Sequence, residues 1–159
     1  MTEPTIREAL ASAVADVLES MFFLEALGET AEPPPEATTV TARLSFDGDP
    51  PGCFHMRIAS PAANTIAADF LGEDAGSLTP QQTTDVTLEL ANMICGAVLS
   101  RLESSATFRL GAPHIVEAPP AQLPPEEETR YTVETGNGTL TVSIQMETRT
   151  CLATEKFAS

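Results

Sequence analysis

Glu89 and Asn92 are the residues of this 159-residue chain whose types and spacing most invite chemistry. They lie in the run Asp85-Val86-Thr87-Leu88-Glu89-Leu90-Ala91-Asn92-Met93-Ile94-Cys95-Gly96. On a helix, residues three apart share one face and can act on one target. Asn is a mediocre helix former, because its side chain competes for backbone hydrogen bonds. An Asn inside a strong helix, one turn from a Glu, therefore asks for a reason. A carboxylate and a carboxamide pointing the same way can grip a cation and position a water. Glu-x-x-Asn also arises by chance about once in a few hundred residues at average composition. Context decides between these readings.

The elements that must position the pair are readable from periodicity. Thr5-Ile6-Arg7-Glu8 has a capping-box pattern and predicts the start of a helix. Ile6, Leu10, Val14, Val17, Met21 and Leu24 give it one apolar stripe, with Gly28 as its expected end. Pro33, Pro34 and Pro35 mark a connector. Val40, Ala42, Leu44 and Phe46 alternate with polar residues, as do Phe54, Met56 and Ile58, which predicts a β-hairpin turning between Asp47 and Gly52. Ser60-Pro61 reads as an N-cap before a short helix that runs to about Leu71 and closes at Gly72. Thr79-Pro80-Gln81-Gln82 opens the long helix that carries the pair and reaches about Leu102. Short strands are expected around Phe108–Leu110 and His114–Val116. An exposed acidic, Pro-rich loop follows over about 118–128. A second hairpin turns at Gly136-Asn137-Gly138, with Leu140, Val142, Ile144 and Met146 alternating beyond it.

This order repeats a plan of long helix plus hairpin, in pseudo-repeats at about 5–72 and 79–153. The expected fold is α+β: one domain spanning 1–159 with an internal duplication, its mainly antiparallel sheet packed by two long helices. One face of the sheet should pack on the helices and the other should be more polar.

Composition narrows the function. With 23 acids against 8 bases the net charge is −15, which argues against nucleic acid and against anionic membranes as partners. A partner with exposed Lys or Arg is favoured instead, while the acidic surface also serves solubility. Three cysteines with no CxxC fit a reducing, cytoplasmic setting rather than a disulfide framework. No signal peptide and no apolar run long enough for a membrane helix are seen.

On the long helix, Val86, Leu90, Met93, Ile94 and Ala97 form the apolar stripe at about 100° per residue. Asp85, Glu89, Asn92 and Gly96 form a second stripe that is small and polar. Gly inside a helix costs about 1 kcal/mol against Ala. Gly96 either clears space for an approaching partner or admits a neighbouring helix.

Asp85-x3-Glu89-x2-Asn92-x3-Gly96, with Pro113 about twenty residues on, resembles the signature of the CheC/CheX/FliY phosphatases of bacterial chemotaxis. Val17 to Phe22 looks like the first-helix segment of CheX-type members. Phe46 through Gly52 to Ile58 looks like their first hairpin, and Ile66 to Gly72 like the short helix after it. The spacing from Asn92 to Pro113 is slightly short of the family pattern. The resemblance implies a phosphatase acting on the phosphoaspartate of a CheY-like response regulator. Asn92 would orient the attacking water and Glu89 would pair with a Lys of the partner. Asp85, Gly96 and Pro113 would border the partner, although Asp85 can instead serve the helix dipole and Pro113 can shape a strand entry. The resemblance also implies a homodimer. It implies Mg2+ on the partner and no cofactor bound by this chain. In CheC and FliY both long helices carry Glu-x-x-Asn. Here Glu19-x-x-Phe22 stands in the first, so a single site is expected, and Glu19 can be an ordinary solvated helix residue.

A non-catalytic regulator-binding or flagellar-switch module of the same fold is the alternative. Cys53, His55 and His114 do not make a convincing metal set, so no metal is expected. No phosphate loop or nucleophile elbow occurs, and Cys95 is expected to pack as a small apolar residue.

Overall fold

The computed structural model describes residues 3–22, 24–31, 38–48, 51–102, 108–116, 129–136 and 138–146. The expected acidic loop at 118–128 lies outside these residues, as do Asn137 of the second turn and the end of the second pseudo-repeat. The order of elements is α1 (Glu3–Met21), β1 (Thr39–Asp47), β2 (Gly52–Ala59), α2 (Ser60–Leu71), a single 3-10 turn (Ala75–Ser77), α3 (Pro80–Leu102), β3 (Arg109–Leu110), β4 (His114–Val116), β5 (Thr129–Glu134) and β6 (Thr139–Met146).

The sheet is antiparallel in every pairing, in the order β3-β1-β2-β6-β5, with β4 also on β1. This is the expected α+β class. Alternation fixes the register. Leu44, Phe54 and Ile144 stand in one cross-strand row, and Ala42, Met56 and Val142 in another, all facing the helices and all buried. A slip of one residue would turn both rows to the opposite face. Gly52 holds the same register from the backbone side, because a Cβ there would stand 2.1 Å from the Gln145 carbonyl oxygen.

Both long helices lie on that apolar face and pack on each other, and Leu10, Val14, Leu18, Leu90, Ile94 and Val98 are among the residues they bury in the shared core. The opposite face is polar, as expected, and part of it is shielded from water, although Ser45 on it is exposed. Thr41, Thr132, Thr141, Ser143 and Gln145 on it are all buried.

Three expected boundaries move. Helix α1 begins at Glu3, two residues before the Thr5 pattern, and ends at Met21 rather than Gly28. The segment beyond it is drawn out along β5: Leu27 N donates to Glu134 O, Glu134 N to Gly28 O, and Thr30 N to Thr132 O, at 2.8–3.0 Å. Gly28, at φ 125°, serves this edge pairing instead of a helix cap. Met21, placed in the apolar stripe by spacing, is 45% exposed, while Leu18 and Phe22 take the buried positions. Ser60 is the first residue of α2, not its cap; Ala59 precedes it and no side chain caps the helix. The end of α2 is as expected, with Gly72 left-handed at φ 70° and its N–H and that of Glu73 closing the last turn onto Asp69 O and Ala68 O.

Candidate functional site

Helix α3 owes its start to the Thr79/Gln82 capping box. Gln82 N donates to Thr79 Oγ1 at 3.1 Å and Thr79 N donates to Gln82 Oε1 at 2.8 Å. Both side chains satisfy backbone donors that the first turn would otherwise leave open. Twenty-three residues follow without a break. Their buried side is Val86, Thr87, Leu90, Ala91, Ile94, Cys95, Val98 and Leu99. That burial sets the rotation of the helix, and with it the residues that face outward.

Asp85 and Glu89 are exposed, and Asn92 and Gly96 are half-buried, on the side away from the core. The four residues expected to act together therefore share one solvent-facing stripe about 16 Å long at 1.5 Å per residue. A Cβ placed on Gly96 would have one described heavy atom within 4 Å, outside its own helix backbone and chain neighbours: Leu110 Cδ2 of β3, at 3.9 Å. Among the described residues no helix closes on this glycine, so Gly96 does not serve close helix packing. Leu110, the neighbour it does have, is not foreseeable from local sequence, because its place beside α3 depends on the β1–β3 pairing of Phe46 with Leu110.

The stripe is electrostatically one-sided. Arg101 is the only cation on α3. It is turned to α1, where it pairs with Asp16 and donates to Ser12 Oγ at 3.1 Å, with a further bond to Ala97 O at 3.0 Å. Among the described residues no cation pairs with Asp85 or Glu89. Asp85 instead accepts a hydrogen bond from Gln81 Nε2 at 2.7 Å.

Pro113 is half-buried and stands immediately before β4. Phe22 is 1% exposed, with its ring stacked on Phe70 at 4.8 Å. Glu19 stays exposed. Phe22, expected in the first long helix three residues after Glu19, thus stands one residue past the end of α1 and packs in the core, whereas Asn92 faces outward from the middle of α3. Cys95 faces the core, and burial pushes its thiol up to about 12, with nearby Cys53 adding to the rise. It stays a neutral thiol and is no nucleophile at ordinary pH. His55 and His114 both oppose Arg43, on its two neighbouring strands. That separates them by two strand spacings, about 10 Å, too far to share one ion. Among the described residues no group of three or more His, Cys, Asp or Glu could hold a metal. No described helix is long and apolar enough to cross a membrane.

The family model for the chemotaxis phosphatase CheX matches residues 40–136, which include the whole of α3. No curated protein matches the sequence. Several solved structures share the fold at low identity. The chemotaxis protein CheX of Desulfovibrio desulfuricans superposes with a TM-score of 0.72 at 20% identity, over 89% of this chain and 99% of that one. CheX in the CheX–CheY–BeF3–Mg2+ complex of Borrelia burgdorferi gives 0.67 at 17% identity, over 89% and 97%. FliY of Thermotoga maritima gives 0.57 at 14% identity, over 98% and 95%.

Proposed function

The chain belongs to the CheX family of chemotaxis phosphatases, and from that premise we propose that it hydrolyses the phosphoaspartate of a CheY-like response regulator. The observation that carries the reading is the outward stripe of α3, on which Asp85, Glu89 and Asn92 stand clear of the core beside an unobstructed Gly96. The CheX of Borrelia burgdorferi, solved in complex with CheY, supports a receiver as the partner.

The chemistry asks little of the phosphatase. An aspartyl phosphate is an activated acyl phosphate, and catalysis is largely a matter of placing a water in line with phosphorus. Water oxygen attacks phosphorus, the bond from phosphorus to the aspartyl oxygen breaks, and the products are carboxylate and inorganic phosphate. The Asn92 carboxamide supplies an acceptor for the water proton and a donor for a neighbouring oxygen. Glu89, one turn earlier on the same face, meets a Lys of the receiver and sets the register of the helix on its surface. Asp85, Gly96 and Pro113 border that contact. The Mg2+ that neutralises the phosphoryl oxygens belongs to the receiver. We also propose that the chain works as a homodimer.

The test is decay of phosphorylated CheY-like receivers from the source organism with and without catalytic amounts of the protein. A multiple-turnover acceleration on one of them is the expected result. Binding to a receiver with its phosphate lifetime unchanged would mark the chain as a non-catalytic regulator-binding module.

A further inference from the structure

We propose that Gln81 is a positioning residue for the receiver: it holds Asp85 in the outward stripe so that Asp85 meets a second cationic side chain of the partner. This rests on the reading of α3 as the receiver-docking helix and adds a residue and a partner requirement to it.

Gln81 and Asp85 are four apart on α3, both exposed, and joined by the 2.7 Å bond from Nε2 to Oδ1. An exposed pair four apart on a helix favours its bonded geometry by a factor of only about 1.4–2.3, so the bond biases both side chains toward this geometry before any partner arrives. Ordering an exposed side chain at the moment of binding costs affinity, and ordering it beforehand removes part of that cost. The bond uses one lone pair of one carboxylate oxygen and leaves Oδ2 available to a second donor. The charge of Asp85 is not spent, since Gln81 is neutral and Arg101, the sole cation on the helix, is held by Asp16 and Ser12. Glu89 lies one further turn along, about 6 Å up the axis. Two uncompensated carboxylates at that spacing select a receiver that presents two cations about 6 Å apart. A receiver with a single Lys would leave Asp85 facing nothing.

The experiment is calorimetric titration of beryllofluoride-activated, Mg2+-loaded receivers into wild type, Gln81→Leu, Asp85→Asn and the double variant, with turnover and melting temperature measured on each. Gln81→Leu should weaken binding about twofold, the scale of such a pair, with kcat and melting temperature unchanged. The double variant should bind no worse than Asp85→Asn alone, because Gln81 acts only through Asp85. Wild-type affinity in Gln81→Leu, or additive losses in the double variant, would overturn the proposal while leaving the docking helix in place. Failure of every receiver to bind the wild type would remove the docking reading and this one with it.

Discussion

Gly96 is where one missing side chain separates stability from recognition. A methyl group there would meet only Leu110 Cδ2 among the described atoms, at an ordinary contact distance of 3.9 Å. Gly96→Ala should therefore raise stability by about 0.5–1 kcal/mol, as the helix gains propensity without a clash. The same methyl group would stand on the surface proposed to receive the partner, so on that reading receiver affinity should fall. Denaturant melts and titration of the receiver measure the two effects separately. Loss of stability would mean that the glycine serves packing. Cys95 yields a pH prediction of its own. Its pKa of about 12, raised by burial and then by Cys53, lies above that of the unfolded thiol, about 8.5. The stability it contributes is complete below about pH 8.5 and is lost as pH rises toward 12, since only the unfolded chain ionises there. Between about pH 8 and pH 10 the wild type should lose about 2 kcal/mol more than Cys95→Ala. Equal losses by chemical denaturation would contradict this.

The two long helices meet different surroundings at the positions three residues after Glu19 and after Glu89. Phe22, one residue past α1, is buried against Phe70, so no outward amide pairs with Glu19 there. Phe22→Asn should not create a second active site. It should destabilise the protein by about 3 kcal/mol or more, through the lost ring and a buried amide short of partners. A stable variant with doubled turnover would contradict that. Much at this scale was legible in the sequence. The Thr79/Gln82 box, the left-handed stop at Gly72 and the alternation of both hairpins are local signals, and each stands where its residues put it. The end of α1 was not legible, because Gly28 is positioned by hydrogen bonds to β5, more than a hundred residues along the chain. Nor was the burial of Thr141 and Ser143: alternation reveals that a face is polar, but not whether water reaches it. For the candidate site, spacing alone placed Asp85, Glu89, Asn92 and Gly96 on one side of α3. Leu110 needed the tertiary pairing of β3 to arrive there.

Across the molecule, the distribution of strand edges bears on assembly. At one side of the sheet the 27–30 segment already occupies the outer edge of β5. At the other, β4 pairs with β1, and among the described residues nothing pairs with its far side. An open strand edge is a template for another strand. The homodimer proposed for this chain is therefore expected to join at β4, which lies on the same side of the sheet as β3 and its Leu110. Sedimentation equilibrium should give about twice the chain mass of 16.8 kDa. A persistent monomer at high concentration would rule the assembly out. The net charge of −15 sets the other molecular constraint. The proposed docking stripe presents acids with no cation of its own helix free to answer them, so it favours a cationic receiver surface over an acidic one.

The central claim is that Asn92 places the water, while Glu89 and Asp85 hold the partner. Its most direct test is the decay rate of a phosphorylated CheY-like receiver in the presence of wild type or Asn92→Ala, at receiver concentrations that saturate binding. Asn92 is half-buried on the outward face, so the variant should stay folded and bind the receiver. The expected result is wild-type affinity for the activated receiver with turnover reduced at least about a hundredfold, the scale of losing a group that acts in the transition state. An Asn92→Ala protein that binds normally and still turns over at the wild-type rate would contradict the account.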